Sequence, residues 1–273
     1  MLPVNFHRTF IPERRLIAAL LHFAALGKAG DFQTIAAETG IPMGRSTGKV
    51  PAIMDYARGM GLIVLESGRQ DGIKKPILTP MGRAVFSHDQ YLSEEMTQWL
   101  CHMNLCRSDI GGATWHLAFA KGRSVLGSRF SRQQLENYLT GVIGPGNSRT
   151  GPVIRTYSDD AALGRAGAVE DLTESLARRK APILDAYASP YSAFILGLME
   201  AFFPGQRQVT FTDFGDRTLW FDVCLWTESD VERAFSIIER KGYVAIDRQM
   251  RPWILDVRAS ASDVWPHIYE DLA

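Results

Sequence analysis

Three helices and a hairpin are indicated by residues 13–86, which open with ERRLIAALLHFAAL (13–26), FQTIAAETG (32–40) and IPMGRSTGKV (41–50). In the first stretch, apolar residues recur every three to four positions and Gly27 follows, which is typical of a buried helix with a glycine C-cap. The second stretch is a short helix closed by Gly40, and Pro42 and Gly44 then break the backbone. This spacing predicts two helices followed by a tight turn.

A third helix is predicted to start after this turn. Ser46 or Thr47 can cap it, and Pro51 fits in its first turn because the missing N–H costs no intrahelical hydrogen bond there. Gly61 ends the helix, and LIVLE (62–66), SGRQDGIKK (67–75) and PILT (76–79) then predict strand, loop and strand. Thr79 is placed to cap a further helix. This order of elements predicts a winged helix-turn-helix.

Such a fold presents a helix start and a basic loop to DNA. Side chains and N–H groups at a helix start suit phosphates and base edges, and cations in the hairpin loop reach the flanking backbone. The residues predicted to bind DNA are Arg45, Ser46, Thr47, Lys49, Arg69, Lys74 and Lys75. The alternative left open is that the winged helix is only a packing module in a protein assembly.

The distribution of charge supports DNA binding only when the net charge is counted separately for each segment of the chain. The whole chain is neutral, with 30 basic and 30 acidic residues, but residues 1–88 carry a net charge of +5. Residues 89–150 carry +1 and residues 151–273 carry −6. A basic segment suits a polyanion, and an acidic one is repelled by it. We therefore expect double-stranded DNA at the first segment and protein partners at the last.

Three segments are predicted. Residues 1–88 are the winged helix-turn-helix, residues 89–150 a helical linker domain, and residues 151–273 a C-terminal helical and winged-helix-like domain. The stretch GPGNSRTGP (144–152) is the expected boundary, because glycine, proline and serine interrupt regular structure there. The fold class is therefore predicted as mainly α with small β-hairpins.

The C-terminal segment repeats the order of the first one. VEDLTESLARRKAPIL (169–184) is predicted to be a polar helix as far as Pro182, followed by an apolar helix, a helix closed by Gly242 and two strands around RQMRP (248–252). The helix in the recognition position carries four acidic residues, Glu228, Asp230, Glu232 and Glu239. Protein contact is therefore its expected use, while Arg248 and Arg251 stay open as contacts to a nucleic-acid backbone.

No motif indicates an active site, a cofactor or a metal. GRSTGKV (44–50) resembles a phosphate loop, but it is one residue short between its glycines and has valine where magnesium needs Ser or Thr. Cys101 and Cys106 would lie about 140° apart around a helix, so together with His102 they favour a packed helix over a zinc site. We therefore predict no enzyme activity and no cofactor.

The compartment is predicted from three further observations. Three cysteines give no disulfide framework, and the N-terminal stretch has no signal-peptide pattern. The longest apolar stretch, near residues 16–26, contains His22 and is too short to span a bilayer. A cytoplasmic protein without a membrane partner is expected.

The chain also resembles the bacterial domain-of-unknown-function family number four thousand and seven. That family has a histidine, a phenylalanine and an arginine near its start, then a block around a TxWLxH pattern, an ATxWxxxF pattern and an FxxxxL pattern. The matching residues are His7, Phe10, Arg14, Tyr91, Leu92, Thr97, Trp99, Leu100, His102, Ala113, Thr114, Trp115, Phe119, Phe130 and Leu135. The resemblance covers nearly the whole chain.

This resemblance implies a role beside genes for phosphorothioate-type DNA modification and anti-phage defence, and it implies no known enzyme activity. The function expected from the sequence is therefore a DNA-binding accessory subunit of such a system, with protein partners from the same operon. Two alternatives remain. One is a stand-alone winged-helix transcription regulator, which would be a homodimer with reading helices about 34 Å apart. The other is a protein-interaction scaffold built on winged-helix folds.

Overall fold

The computed structural model describes residues 1–43, 48–66, 72–145 and 150–272. It divides the chain into two compact units, which we call unit 1 (Met1–Arg179) and unit 2 (Lys180–Ala273). The predicted fold class is confirmed at the coarse level, because both units are mainly helical and carry small antiparallel sheets. No helix in these described ranges is long and apolar enough to cross a membrane.

Unit 1 begins with the predicted helices and hairpin. The elements are α1 (Arg14–Ala25), α2 (Phe32–Thr39), α3 (Lys49–Gly59), β1 (Ile63–Leu65), β2 (Pro76–Leu78) and α4 (Pro80–His88). Asp31 caps α2 by accepting a hydrogen bond from Thr34 N–H, and Gly40 ends it in the left-handed region at φ 69°. Thr79 caps α4 in the same way, through Gly82 N–H. Local sequence signals therefore fix where these helices start and stop.

The core of this part comes from one face of each element. Ile17, Leu20 and Leu21 of α1 are fully buried, as are Val50 and Ile53 of α3. The hairpin strands pair in the register Ile63↔Leu78, Val64↔Ile77 and Leu65↔Pro76. Ile63 and Leu78 face inward while Val64 and Ile77 are exposed, which is the alternation expected when one face of a sheet is solvated.

The middle of unit 1 is helical, as predicted. Its elements are α5 (Glu95–Leu105), α6 (Ala113–Trp115) continuing into a π-helical turn (His116–Lys121), α7 (Arg123–Leu126), β3 (Arg129–Phe130), α8 (Arg132–Ile143) and α9 (Thr150–Ser158). Every residue of α5 from Met96 to Leu105 is buried. Ser131 begins α8 with a capping box to Gln134, as its sequence indicates. The helix α5 is therefore enclosed on all sides and is the centre of the unit.

The polar helix predicted over residues 169–182 is wrong. The chain forms a hairpin instead, β4 (Val169–Leu172) and β5 (Ser175–Arg178), and β3 pairs with the other side of β5. Leu176 and Arg178 face inward while Ala177 between them is only half-buried, so the segment has a period of two. In the sequence, the charged residues on the outer face of this hairpin resemble the exposed side of a polar helix.

This sheet also explains why the unit boundary differs from the predicted breaks at 88/89 and 150/151. Phe130 pairs with Leu176, so the strands β4 and β5 belong with the helical middle segment. The described residues at the C-terminal end of the GPGNSRTGP stretch already belong to α9, and α9 packs on β4. The division therefore falls after Arg179, where the last strand of this sheet ends.

Unit 2 contains the apolar helix, the capped helix and the hairpin that the sequence predicts. Its elements are α10 (Ala188–Phe202), β6 (Gln208–Thr210), α11 (Phe211–Thr218), α12 (Trp220–Val223), α13 (Glu228–Glu239), β7 (Val244–Asp247), β8 (Ile254–Val257) and α14 (Ala261–Val264). Its sheet has the order β6-β8-β7. An aromatic core that includes Trp220 and Trp226, with ring centroids 5.0 Å apart, holds the helices together.

Candidate nucleic-acid interface

A third strand-like segment joins the N-terminal hairpin. Gly30 N–H donates to Lys74 O at 3.0 Å, and Lys74 N–H donates to Gly30 O at 2.8 Å. Gly30 lies between α1 and α2, so the segment that links these helices extends the sheet of β1 and β2. This pairing could not be predicted from the sequence, because a bridge of two hydrogen bonds produces no run of alternating apolar and polar residues. The bridge fixes the base of the hairpin loop against α2.

Four of the seven residues predicted to bind DNA, Arg45, Ser46, Thr47 and Arg69, lie outside the described residues. The other three are lysines whose surroundings the structure gives. Lys49 is the first residue of α3, and Lys74 and Lys75 lie just before β2. The structure therefore places these lysines at the helix start and at the hairpin, as the sequence indicates.

Lys49 contacts the protein itself. Its ammonium nitrogen lies 2.7 Å from Glu13 Oε1 and 5.7 Å from the ring centroid of Phe10, and its side chain is only 19% exposed. A cation at a helix N-terminus is disfavoured by the helix dipole, and the carboxylate of Glu13 offsets this effect. In this structure Lys49 is therefore paired rather than open, and it ties the start of α3 to the start of α1.

Lys75 is also paired. Its ammonium nitrogen lies 3.0 Å from Glu66 Oε1, and Glu66 N–H donates to Lys75 O at 3.0 Å, so the two residues face each other across the hairpin. Lys74 is half-buried, and its ammonium has no carboxylate partner among the residues that the structure describes. Of these three lysines, Lys74 is thus the one that pairs with no carboxylate of the described residues.

Other cations of this part of unit 1 are more exposed than the three lysines. Arg15 lies on the outer face of α1, and Arg83 lies on α4, where its Nη1 donates to Leu78 O at 2.9 Å at the end of β2. The sequence analysis did not select them. Their positions on the polar side of the helical patterns of α1 and α4 could have indicated that both arginines are exposed.

The two arginines of the hairpin in unit 2 are held by carboxylates of α13. Arg251 Nη1 lies 2.5 Å from Glu228 Oε1, and Arg248 Nη2 lies 2.5 Å from Glu239 Oε2. Both guanidinium groups also lie over the ring of Trp253, at 5.0 and 5.4 Å. The acidic helix therefore shields the cations that the sequence left open as backbone contacts.

Two residues of the family pattern, His102 and Trp115, belong to a buried polar cluster in unit 1. The Tyr157 hydroxyl lies 2.5 Å from His102 Nδ1 and accepts a hydrogen bond from Trp115 Nε1 at 3.1 Å, while Cys106 Sγ lies 3.8 Å from the same histidine nitrogen. Burial, with a smaller effect of the nearby Arg178 charge, lowers the pKa of His102 to about 3. A neutral histidine is the acceptor that Tyr157 needs, so the cluster joins α5, α6 and α9.

Arg14 and His7, the residues of the family pattern near the N-terminus, also make contacts that stabilise unit 1. Arg14 Nη2 donates to Asp160 O at 2.7 Å, and Arg14 N–H donates to Ala161 O at 2.7 Å. His7 is fully buried, and its ring contacts that of Trp115 edge-on at 6.0 Å. Within the described ranges, no group of three or more His, Cys, Asp or Glu side chains is placed to hold a metal ion.

Residues 49–166 match the family model described as "Protein of unknown function (DUF4007)". The resemblance stated from the sequence is thereby confirmed. None of the curated proteins compared matches the chain.

Two solved structures resemble the chain. One is titled "SspB crystal structure", with a TM-score of 0.68, and the other "Magnesium ion-bound SspB crystal structure", with a TM-score of 0.66. Each is 16% identical in sequence, and each alignment covers 98% of this chain and 88% of the other. At this identity the likeness concerns the fold.

Proposed function

We propose that residues 14–88 form a winged helix-turn-helix that binds double-stranded DNA, and that the chain is a DNA-binding accessory subunit of a bacterial phage-defence or DNA-modification system. The observation that carries the proposal is the Gly30–Lys74 bridge. It gives the order helix, strand, helix, helix, strand, strand along the chain, with a hairpin after the third helix. That is the arrangement a winged helix uses to reach a groove and the adjacent backbone.

Charge supports DNA binding by this part of the chain. Residues 1–88 have a net charge of +5, and Lys74, Arg15 and Arg83 are cations with no carboxylate partner in the described part of the chain. The pairs Lys49–Glu13 and Lys75–Glu66 are partly exposed, and such pairs are worth about 0–1 kcal/mol. A phosphate can therefore replace either carboxylate at small cost.

The role in a defence or modification system rests on the family resemblance. The acidic C-terminal part favours protein partners from the same system over DNA. Its helix α13, which occupies the position of a recognition helix, carries carboxylates that repel a duplex.

The test is duplex binding measured by fluorescence anisotropy over a series of salt concentrations. The triple variant Arg45→Ala, Arg69→Ala and Lys74→Ala removes three cations of the proposed surface. The control triple, Lys121→Ala, Arg155→Ala and Arg165→Ala, removes three exposed cations of unit 1 outside that surface. We expect the logarithmic salt slope to fall by about 0.9 for each lost phosphate contact in the test variant and to stay unchanged in the control.

If the two triple variants have equal salt slopes, the proposed surface is not the one that contacts the phosphates. If the chain shows no salt-dependent binding at all, DNA binding is rejected. The pairing of Lys49 and Lys75 with carboxylates favours a second candidate, the interaction scaffold. It predicts that the full chain is not retained on DNA or heparin. The stand-alone regulator predicts a homodimer by light scattering and tight binding only to a palindromic duplex.

A further inference from the structure

The third helix of the proposed winged helix-turn-helix is enclosed by the rest of unit 1. In α3 (Lys49–Gly59), Lys49, Asp55 and Arg58 are partly exposed, and the other eight residues are buried. A helix that reads base edges lies in the major groove with one side open to solvent over several turns, so that three or four side chains reach the bases. Residues 49–59 present no such side.

The N-terminal segment, residues 1–12, takes part in this enclosure. The helices α1 and α2 and the strand β1 pack on α3 as the predicted fold requires, and α5 packs on it as well. The ring centroid of Phe6 lies 4.9 Å from that of Tyr56, and the Tyr56 hydroxyl donates to Phe10 O at 3.0 Å. At the end of the helix, a Cβ added to Gly59 would lie 2.9 Å from Leu2 Cδ1. The segment therefore runs along α3 in close contact.

This segment is fixed in its place. Leu2 N–H donates to Gly111 O at 2.7 Å, and Ala113 N–H donates to Leu2 O at 3.1 Å. The ring centroid of Phe6 lies 5.5 Å from that of Trp115, and Leu2 and Phe6 are both buried. A duplex that displaced the segment from α3 would expose these apolar side chains to water, which is unfavourable. We therefore expect α3 to stay covered when DNA binds.

The three partly exposed side chains of α3 are poorly suited to reading bases. Lys49 pairs with Glu13 at the start of the helix, and Arg58 Nη1 lies 2.9 Å from Asp55 Oδ1 near its end. The stretch KVPAIMDYARG (49–59) contains neither Asn nor Gln, the residues that pair with adenine. Lys49 can exchange its carboxylate for a phosphate, but phosphate contacts carry no direct information about sequence.

We propose that the chain binds double-stranded DNA without reading its base sequence. This inference rests on the proposed DNA binding and names the class of duplex that is bound. The cations of the proposed surface contact phosphates, which are the same in every sequence, and the enclosed body of α3 stays outside the major groove. The stand-alone regulator, which needs a defined operator, is disfavoured by the same argument.

The test is a selection with the full chain from a pool of duplexes that have a randomised centre. After several rounds, the bound duplexes are sequenced, and fluorescence anisotropy compares the affinities of the selected pool and the starting pool. We expect no enriched motif and affinities within about fivefold, because each base pair that a protein reads is worth at least about that factor. A sequence-specific protein typically binds its site at least about a thousandfold more tightly than other DNA.

The two triple variants described above accompany the selection. The variant of the proposed surface should weaken binding to both pools by the same factor, because lost phosphate contacts act alike on all sequences, and the control triple should change neither. An enriched motif, or a selected pool that binds more than about fivefold more tightly, would overturn this inference and leave DNA binding intact. If the chain binds neither pool, DNA binding itself is rejected, and this inference is rejected with it.

Discussion

The ammonium of Lys49 lies 2.7 Å from the carboxylate of Glu13, so the first residue of α3 is bound to the residue that precedes α1. Both partners are partly exposed, with side-chain exposures of 19% and 35%. Lys49, a cation of the proposed DNA surface, can therefore leave Glu13 and contact a phosphate instead.

Replacing the acid of this pair should strengthen DNA binding. In Glu13→Gln, Lys49 loses its competing carboxylate, so we expect higher duplex affinity at low salt and a logarithmic salt slope steeper by about 0.9. Glu38→Gln is the matched control, because Glu38 pairs with the exposed Lys28 in the same unit. An unchanged slope in Glu13→Gln would show that Lys49 makes no phosphate contact.

The arginines of the unit 2 hairpin should not contribute to duplex binding. Arg248 and Arg251 pair with Glu239 and Glu228 of α13. Unlike the pairs of Lys49 and Lys75, they lie in a segment, residues 151–273, whose net charge of −6 repels a duplex. We expect the double variant Arg248→Ala and Arg251→Ala to keep the affinity and salt slope of the parent. The same anisotropy series measures it, and a slope lower by about two units would assign the second hairpin to the DNA surface.

His102 should make the stability of unit 1 depend on pH. Because burial lowers its pKa to about 3 from an ordinary 6.5, the unfolded chain binds more protons than the folded one between these two values. The free energy of unfolding should therefore fall as the pH drops from about 6.5 towards 3, with a slope of roughly 1.4 kcal/mol per pH unit from this group.

Urea denaturation at several pH values measures this slope. His102→Gln keeps an acceptor for Tyr157 without a titrating ring, so its pH dependence should be shallower by that amount. His267→Gln, at an exposed histidine of unit 2, is the control. A parallel pH dependence for His102→Gln and the parent would contradict the assignment.

Gly82 should not tolerate a side chain. A Cβ added there would lie 1.8 Å from Leu62 O, which is main chain and cannot move aside cheaply. We expect Gly82→Ala to lower the free energy of unfolding by roughly 1–3 kcal/mol or more. Gly141→Ala is the control. Apart from its chain neighbours and the backbone of its own helix, no atom of the described residues lies within 4 Å of the added carbon in this helical position, so a gain of up to about 1 kcal/mol is expected. Thermal denaturation followed by circular dichroism distinguishes the two outcomes.

The elements that the sequence predicted correctly are those with strong local signals. Gly40, Thr79 and Ser131 each fix a helix end through their own backbone or side chain, and the structure places all three as expected. The hairpin β4–β5 was missed because its strands are short and because its pairing partner, β3, lies about 45 residues away in the chain.

The candidate site was predicted less completely, for a related reason. The positions of Lys49 and Lys75 follow from local pattern, but their partners do not. Glu13 is 36 residues from Lys49, and helix packing alone brings them together. A cavity of unit 2 that is lined by Phe203, Asp213 and Arg217 could not be found from the sequence either, since its other lining residues come from β6, β8 and the segment between α10 and β6.

The pairing of Phe130 with Leu176 limits how this protein can be dissected. A fragment ending at residue 166, where the family match stops, would leave β3 without its neighbour and would remove Arg178, whose guanidinium donates to Phe119 O at 2.8 Å in the buried interior. Exposed strand edges promote aggregation. The shortest N-terminal piece suited to expression and crystallisation therefore extends through Arg179, thirteen residues past the boundary of the family segment.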